Sequence, residues 1–426
     1  MTPRATLHAA GALGFVAACG AASLGDLAAD VPLWLAWLAL GALPLLVGLA
    51  RGRPPAQTLR IVLFWALLIR LPLLLGTEPT LSDDVFRYVW EGRLVAAGLD
   101  PYDLAPSAPA LSGLAVDAAE WAHVNHKDLP AIYPPAAQWV FAVLAAIRPS
   151  PLVFRGAMVL FDLVLIAALG ALAVGRGKDP RAVVLYAWHP LVAVEVASSG
   201  HYEPLALLPL VAGLLAWDRA RRGALPWLLW GVAIASKYVG GAAGWFAARE
   251  LVRERDPWRA VVGLLISGLL ALSFAAPFFF DGTAPIGSLS TFVQHWGHNG
   301  SVHALLTPLI GYHPARGVVA AAFLGWAGWL TWRGGDPARS FLQLFVGLVV
   351  LSPVVHPWYG LWLIALLPLF PSVPLLVFSV LLPLSYLAWT AQAAGGAWLA
   401  PAWVPWLEYG LPLALFVLVR GVRRGR

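Results

Sequence analysis

The chain has 426 residues, of which 60% are hydrophobic and 12% charged, about half the charged share of a soluble domain, so a water-soluble surface is excluded. The net charge of +6 lies in short Arg clusters between hydrophobic runs, where basic residues hold loops on the cytoplasmic side of a bilayer, so no nucleic-acid partner is expected. A single cysteine excludes an internal disulfide.

The hydrophobic runs are roughly 15 to 25 residues long, as a hydrocarbon core of about 30 Å demands of helices, and none alternates as a spanning strand would. The fold class read from this pattern is all-α, a polytopic transmembrane helix bundle of about 14 spans. With no clear internal repeat, it forms a single membrane domain over residues 1–426.

With a cytoplasmic N-terminus, an N-terminal hairpin over 1–58 supplies spans near 7–25 and 31–49. Cys19, in Val16-Ala17-Ala18-Cys19, stands in a stretch like a lipoprotein processing box, but no polar mature domain follows it. A span near 59–76 leaves Arg51-Gly52-Arg53 inside and delivers the chain outside at Thr77, opening a long outer loop, 77–151. Within that loop 136–147 is apolar but too short to cross, which suits a juxtamembrane or re-entrant helix.

A span at 152–174 returns to the basic turn Arg176 to Arg181, and helices 182–198 and 203–217 form a hairpin tipped by Ser198-Ser199-Gly200-His201-Tyr202-Glu203. Residues 224–248 have Arg-rich flanks on both sides, so two half-spans meeting near Lys237 on the outer side are expected. A span at 260–280 leads to a second outer loop, Asp281 to Pro314, whose His295, His298, His303 and His313 lack zinc-site spacing. Spans near 315–332, 340–356, 358–371, 374–392 and 404–421 follow, with Arg333 to Arg339 and the tail residues Arg420, Arg423, Arg424 and Arg426 inside.

The chemistry-bearing residues gather in the first outer loop. Leu81-Ser82-Asp83-Asp84-Val85-Phe86-Arg87-Tyr88-Val89-Trp90-Glu91-Gly92-Arg93 sets acids and bases one or two helical turns apart, which builds either a solvated amphipathic helix or a site. Gly98-Leu99-Asp100-Pro101-Tyr102 reads as a turn. Lys237 lies in an apolar stretch, where an ionisable residue costs about 2.5–3.5 kcal/mol and by default marks function, the alternative being a lysine snorkelling at a helix end. Glu195, His201 and Glu203 surround the hairpin tip and read either as ligands of sugar hydroxyls or a metal, or as solvated turn residues. His356-Pro357-Trp358-Tyr359 closes a late span as interfacial anchors or a sugar-stacking surface.

The strings SDDVFRYVWEGRLVAAGLDPY, NHKDLPAIYPPAAQ, HPLVAVEVASSGHYE, ASKYVGG and HPWYG together resemble membrane-embedded GT-C glycosyltransferases, particularly bacterial mannosyltransferase-like members, over residues 77 to 360. The resemblance implies a GT-C-like catalytic core over 59–360, followed by C-terminal helices over 361–426. It implies an enzyme that moves a hexose, with mannose favoured, from a polyprenyl-phosphate-linked donor to a glycan, glycolipid or protein acceptor, with inversion, at the outer face of a bacterial inner membrane. Nucleotide sugars are cytoplasmic, so a donor reaching an outer loop arrives on lipid.

By the same resemblance Asp83 and Asp84 hold the catalytic position. Asp83 is assigned as general base and Asp84 as orienting the acceptor or ligating a divalent cation, Mg or Mn, with the opposite assignment left open. Arg87, Arg93, Lys127 and Lys237 are the candidate partners of the donor phosphate. Tyr88, Trp90, Tyr102, Tyr133, Glu195, His201, Glu203, His356, Trp358 and Tyr359 are candidates for sugar or acceptor contact, and no residue is assigned to a metal. Two features depart from the family pattern: the additional N-terminal hairpin, and Gly200-His201-Tyr202-Glu203, which leaves the part played by Glu203 open. A transporter or flippase would share the many spans but is expected to show repeats and broken helices with midplane charge. An inactive scaffold of the same fold is the other alternative.

Overall fold

The computed structural model describes residues 2–50, 52–116, 118–279 and 284–424. Arg51, Asp281, Arg426 and the side chains of Arg423 and Arg424, part of the expected loops and tail, lie outside that description. Regular structure among the described residues is helical, with only isolated β-bridges between His298, Asn299 and Val354.

Seven helices among them are long and apolar enough to cross a bilayer: Pro3–Ala22 (α1), Val31–Leu49, Thr58–Gly76 (α2), Pro151–Gly175, Pro257–Phe278, Val373–Ala393 and Trp403–Gly421. The protein is thus a polytopic membrane protein. Several of these helices begin with a capping side chain followed by proline, the arrangement that satisfies the first free N–H groups. Asp30 accepts from Leu33 N at 3.1 Å and Asp256 from Arg259 N at 3.4 Å, each ahead of a Pro in the first turn.

The other apolar runs form shorter or broken helices. The run 358–371, expected as one span, is α-helical only over Gly360–Ile364, and residues 360 to 369 are all buried within the protein. Its hydrophobicity therefore serves packing more than contact with lipid. The stretch 224–248 breaks at Lys237, whose backbone is extended between Leu225–Ser236 and Ala242–Arg253. Both ends of this broken pair return to one place, where Arg221 pairs with Glu254 at 2.6 Å.

Charge gathers at that same end. Arg176 bridges Asp218 at 2.6 Å and Asp336 at 3.0 Å, Arg181 donates to the Gly52 carbonyl, and Arg253 donates to the Arg333 carbonyl. The basic turns therefore share one face of the bundle. The helix Pro151–Gly175 (α5), about 37 Å long at 1.5 Å per residue, runs from there to the opposite end. At that end Arg155 donates to the carbonyls of Ala197, Thr77 and Leu73, fastening the exit of α2 to the tip of the 190–203 hairpin.

Beyond that exit lie two juxtamembrane helices, Asp84–Ala96 (α3) and Pro135–Ile147 (α4). They touch backbone to backbone because Gly92 faces the Phe141 carbonyl oxygen with no room for a Cβ. Tyr88 stacks on Phe141 at 4.8 Å one turn away, and Trp139 Nε1 donates to the Phe274 carbonyl at 3.0 Å, anchoring α4 on the span that begins at Pro257. The N-terminal hairpin packs into this core: Gly11 lies under Trp65, and Trp34 meets Tyr386 edge-on at 5.6 Å.

Candidate active site

Asp83 stands at the N-cap of α3 and Asp84 is its first residue, but the Asp83 side chain does not cap the helix. Both carboxylates turn instead to Asn125, whose Nδ2 donates to Asp83 Oδ1 at 2.7 Å and to Asp84 Oδ1 at 2.9 Å. Asn125 is itself held by Arg87. That guanidinium uses four of its five N–H donors on Glu91 and on the carbonyls of Asn125, His126 and Leu129, at 2.6 to 3.1 Å. Gln138 of α4 donates to the other Glu91 oxygen at 2.5 Å.

The result is a pair of like charges bound by one amide. Desolvation by the surrounding protein and the neighbouring Asp84 push the Asp83 carboxyl above its usual range, and the Asn125 hydrogen bond partly offsets them. Among the described residues no three of His, Cys, Asp and Glu stand together as a cation site, and the Asn125 amide N–H group occupies the space between the two carboxylates.

The pair opens onto a cavity of about 730 Å³ with eleven Phe, Tyr and Trp side chains in its wall. Tyr88, Tyr133 and Tyr202 meet edge-on at 4.9 to 5.5 Å. Lys237 pairs with the buried Glu203 and lies over the rings of Tyr202 at 5.0 Å and Tyr359 at 5.7 Å. A desolvated cation is stabilised in this way by both a carboxylate and ring faces.

Behind the wall His201 Nδ1 lies 2.8 Å from Glu195 and its Nε2 3.8 Å from Asp84. Burial alone would lower the His201 pKa, but Glu195, Glu203 and Asp84 outweigh it and the imidazole is held above its ordinary value. Tyr386 OH donates to the other Glu195 oxygen at 2.8 Å. His201 also begins a row of stacked rings that continues through Trp358 at 4.0 Å, His356 at 4.3 Å, His298 at 4.8 Å and Trp398 at 4.6 Å.

Of the residues singled out in the sequence, Asp83, Asp84, Arg87, Tyr88, Tyr133, Lys237, His356, Trp358 and Tyr359 line this cavity. Glu195, His201 and Glu203 stand directly behind it as partners of wall residues. Four others do not join them. Arg93 pairs with Glu120, and Lys127 lies over Trp121 and donates to the Ala122 carbonyl at 3.1 Å. Trp90 is buried in a separate apolar cluster with Leu94 and Leu111. Tyr102 donates to the Tyr133 carbonyl at 2.6 Å, outside the lining.

Helix geometry explains part of this sorting. Asp84, Arg87, Tyr88 and Glu91 recur at i, i+3, i+4 and i+7, one face of α3, whereas Trp90 and Arg93 fall on other faces. Arg87 reaches the cavity, but its donors hold the 125–129 loop and leave little for a phosphate. Asn125, Tyr386, Trp389, Gln392 and Trp398 were not singled out. Asn125 stood inside a quoted loop string, whereas the four C-terminal residues carry no local motif and become neighbours of Asp83 only through the fold.

Comparison with known proteins accords with this architecture. Residues 11–253, more than half of the chain, match the family described as alpha-(1->6)-mannopyranosyltransferase, N-terminal domain. A Mycolicibacterium smegmatis protein named as a probable alpha-(1->6)-mannopyranosyltransferase is 26% identical over 79% of this chain and 68% of its own. Alpha-(1->6)-mannopyranosyltransferase A of Mycobacterium tuberculosis is 27% identical over 78% of this chain and 68% of its own. Alpha-(1->6)-mannopyranosyltransferase B of Corynebacterium glutamicum is 26% identical over 70% and 56%. No solved structure matches the chain. The acid pair at the head of a juxtamembrane helix, the helical membrane bundle and the extent of the family match lead to one assignment: the chain belongs to the alpha-(1->6)-mannopyranosyltransferase family and is a membrane mannosyltransferase of the GT-C type.

Proposed function

We propose that the protein transfers a mannosyl residue, with inversion, from a polyprenyl-phosphate donor to a hydroxyl of a glycan or glycolipid at the outer face of a bacterial inner membrane. The α-(1→6) linkage is taken from the relatives' names. The observation that carries the reading is the Asp83–Asp84 pair, held by Asn125 at the edge of a large aromatic cavity, at the end of the bundle away from the basic turns. Basic turns stay cytoplasmic, so the cavity belongs to the side where nucleotide sugars are absent.

The charge inventory of the cavity also favours a lipid monophosphate. Its cations are Arg87, mostly engaged by carbonyls, and Lys237, already paired with Glu203. That is little positive charge for a nucleotide diphosphate and enough for the single phosphate of a polyprenyl carrier. The carrier's tail would lie in the bilayer beside α4, whose Val143 and Ile147 are exposed.

In this scheme Asp83 accepts the proton of the attacking hydroxyl as the new glycosidic bond forms and the bond to phosphate breaks. A positioned general base contributes about 10²–10⁴-fold, and a raised pKa makes Asp83 a stronger base than an ordinary carboxylate. Asp84 lies next to the oxocarbenium-like charge that develops at the anomeric carbon. Lys237 faces the departing phosphate, and the tyrosine cluster excludes water. Aromatic faces suit the C–H faces of pyranose rings, and the polar edges of Tyr and His suit their hydroxyls.

The test is mannose transfer in proteoliposomes from polyprenyl-phosphate mannose to an octyl α-mannoside, with Asp83→Asn and Asp84→Asn compared with wild type. Transfer by wild type and its loss in Asp83→Asn are expected. Transfer from GDP-mannose added on the basic-turn side would overturn the donor and the orientation together.

A further inference from the structure

One stretch of cavity wall has no part in that scheme. Trp389 and Gln392 come from the helix Val373–Ala393, Trp398 from the turn after it, and His298 from the second loop. All four lie outside the residues 11–253 that match the family.

They form a connected surface beside the proposed base. Trp389 Nε1 donates to the Leu81 carbonyl at 3.2 Å, two residues before Asp83. Trp398 meets Trp389 edge-on at 5.8 Å and stacks on His298 at 4.6 Å. Gln392 is exposed to the cavity beside these rings. Lys237 lies toward the other end of the ring row, against Tyr202 and Tyr359.

The surface is held rigidly. His298 exchanges backbone hydrogen bonds with Pro353 and Val355, at 3.0 and 2.8 Å. Its neighbour Asn299, in the left-handed region at φ 52°, donates from Nδ2 to the fully buried Glu408 at 2.7 Å. Glu408 also accepts from Ser385 N at 3.1 Å, inside a π-helical turn, a feature frequent at functional sites. Asn299 and Ser385 thus share one carboxylate, which joins the second loop to the C-terminal helices.

Inverting displacement sets a geometric demand: the attacking hydroxyl approaches the anomeric carbon from the face opposite the departing phosphate. With the phosphate at Lys237, the acceptor belongs on the Asp83 side, against Trp389 and Trp398. We infer that Trp389, Trp398, His298 and Gln392 form the subsite for the terminal hexopyranose of the acceptor, an uncharged sugar stacked on the indoles with its hydroxyls toward Gln392 and Asp83. The assignment of this surface to the acceptor rests on the transferase reading above. The surface carries no formal charge, since burial pushes His298 down to about 4 and keeps it neutral, which disfavours a phosphorylated or acidic acceptor.

The experiment pairs equilibrium dialysis of tritiated octyl α-mannopyranoside against the purified full-length protein with transfer kinetics from polyprenyl-phosphate mannose. Trp398→Ala is expected to raise the octyl mannoside Kd and acceptor KM by about tenfold, the value of one stacking contact of ~1.4 kcal/mol, and Gln392→Ala by about threefold. Donor KM stays at the wild-type value in both. Trp398→Phe, which keeps a ring face, restores most of the binding. Unchanged acceptor binding in Trp398→Ala and Gln392→Ala, or a rise in donor KM in its place, overturns the subsite. Wild-type protein that binds octyl mannoside through Trp398 yet uses no polyprenyl-phosphate mannose leaves the subsite standing and overturns the donor reading alone.

Discussion

Two acidic sites lie in different parts of the bundle, and the protein treats them in opposite ways. Between α2 and α5, Asp162 has both oxygens engaged, by Arg70 at 2.5 Å and by Tyr186 at 2.7 Å, while Arg70 also donates to the Ala187 carbonyl at 2.7 Å. At the head of α3, Asp83 and Asp84 stand side by side with one neutral amide between them. The first arrangement is matched charge for charge and holds helices together. The second retains unbalanced negative charge at a cavity, the condition under which a carboxylate reacts. Buried charge alone does not mark a site; unbalanced charge does.

The comparison breaks most sharply with Asp83→Asn. Transfer should fall by about 10²–10⁴-fold while thermal stability holds or rises, because a like-charge repulsion is removed; a fall in melting temperature with activity intact would reverse the two roles. Asp162→Ala should do the converse, costing about 3–5 kcal/mol because Arg70 is left buried without its partner. Unfolding in detergent would register that loss, and the fraction that remains folded should turn over at the wild-type rate.

Asn125→Ala sharpens the comparison from inside the site. Its hydrogen bond lowers the Asp83 pKa, so removing it lets the pKa rise further. Since the base works only when ionised, the acid limb of the pH–rate profile should move to higher pH, and a move to lower pH would assign the base to another group. The smallest effect is expected at the far end of the bundle. Arg176→Ala breaks pairs with partly exposed Asp218 and Asp336, worth less than about 1 kcal/mol, and should leave transfer unchanged in the same assay.

What could be read from the sequence follows from how local each signal is. The acid pair, the amphipathic face of α3 and the break at Lys237 were legible because each rests on spacing or charge within a few residues, such as the Arg-rich flanks that require a chain to return to its starting side. The run 358–371 shows that composition cannot tell lipid from protein interior: Leu361, Trp362, Leu363 and Ile364 are as apolar as a lipid-facing helix but are buried by their neighbours. Arg93 and Lys127 looked like phosphate ligands by charge alone, and their partners, Glu120 and the Trp121 ring, lie in the short 3-10 helix Ala119–His123 of the loop. The C-terminal rings were invisible because a contact such as Trp389 to Leu81 spans more than three hundred positions and leaves no trace in periodicity.

The residues that wall the cavity run from Leu81 to Trp398, with consequences for how the protein is made. A ribosome that has delivered the acid pair, Asn125 and Lys237 has built the reactive groups without the surface that faces them. The compartment closes only after Trp389 and Trp398 have been added. Nascent chains therefore carry the acids long before they carry a place to use them, and maturation of the enzyme waits on the helix Val373–Ala393 and the turn after it.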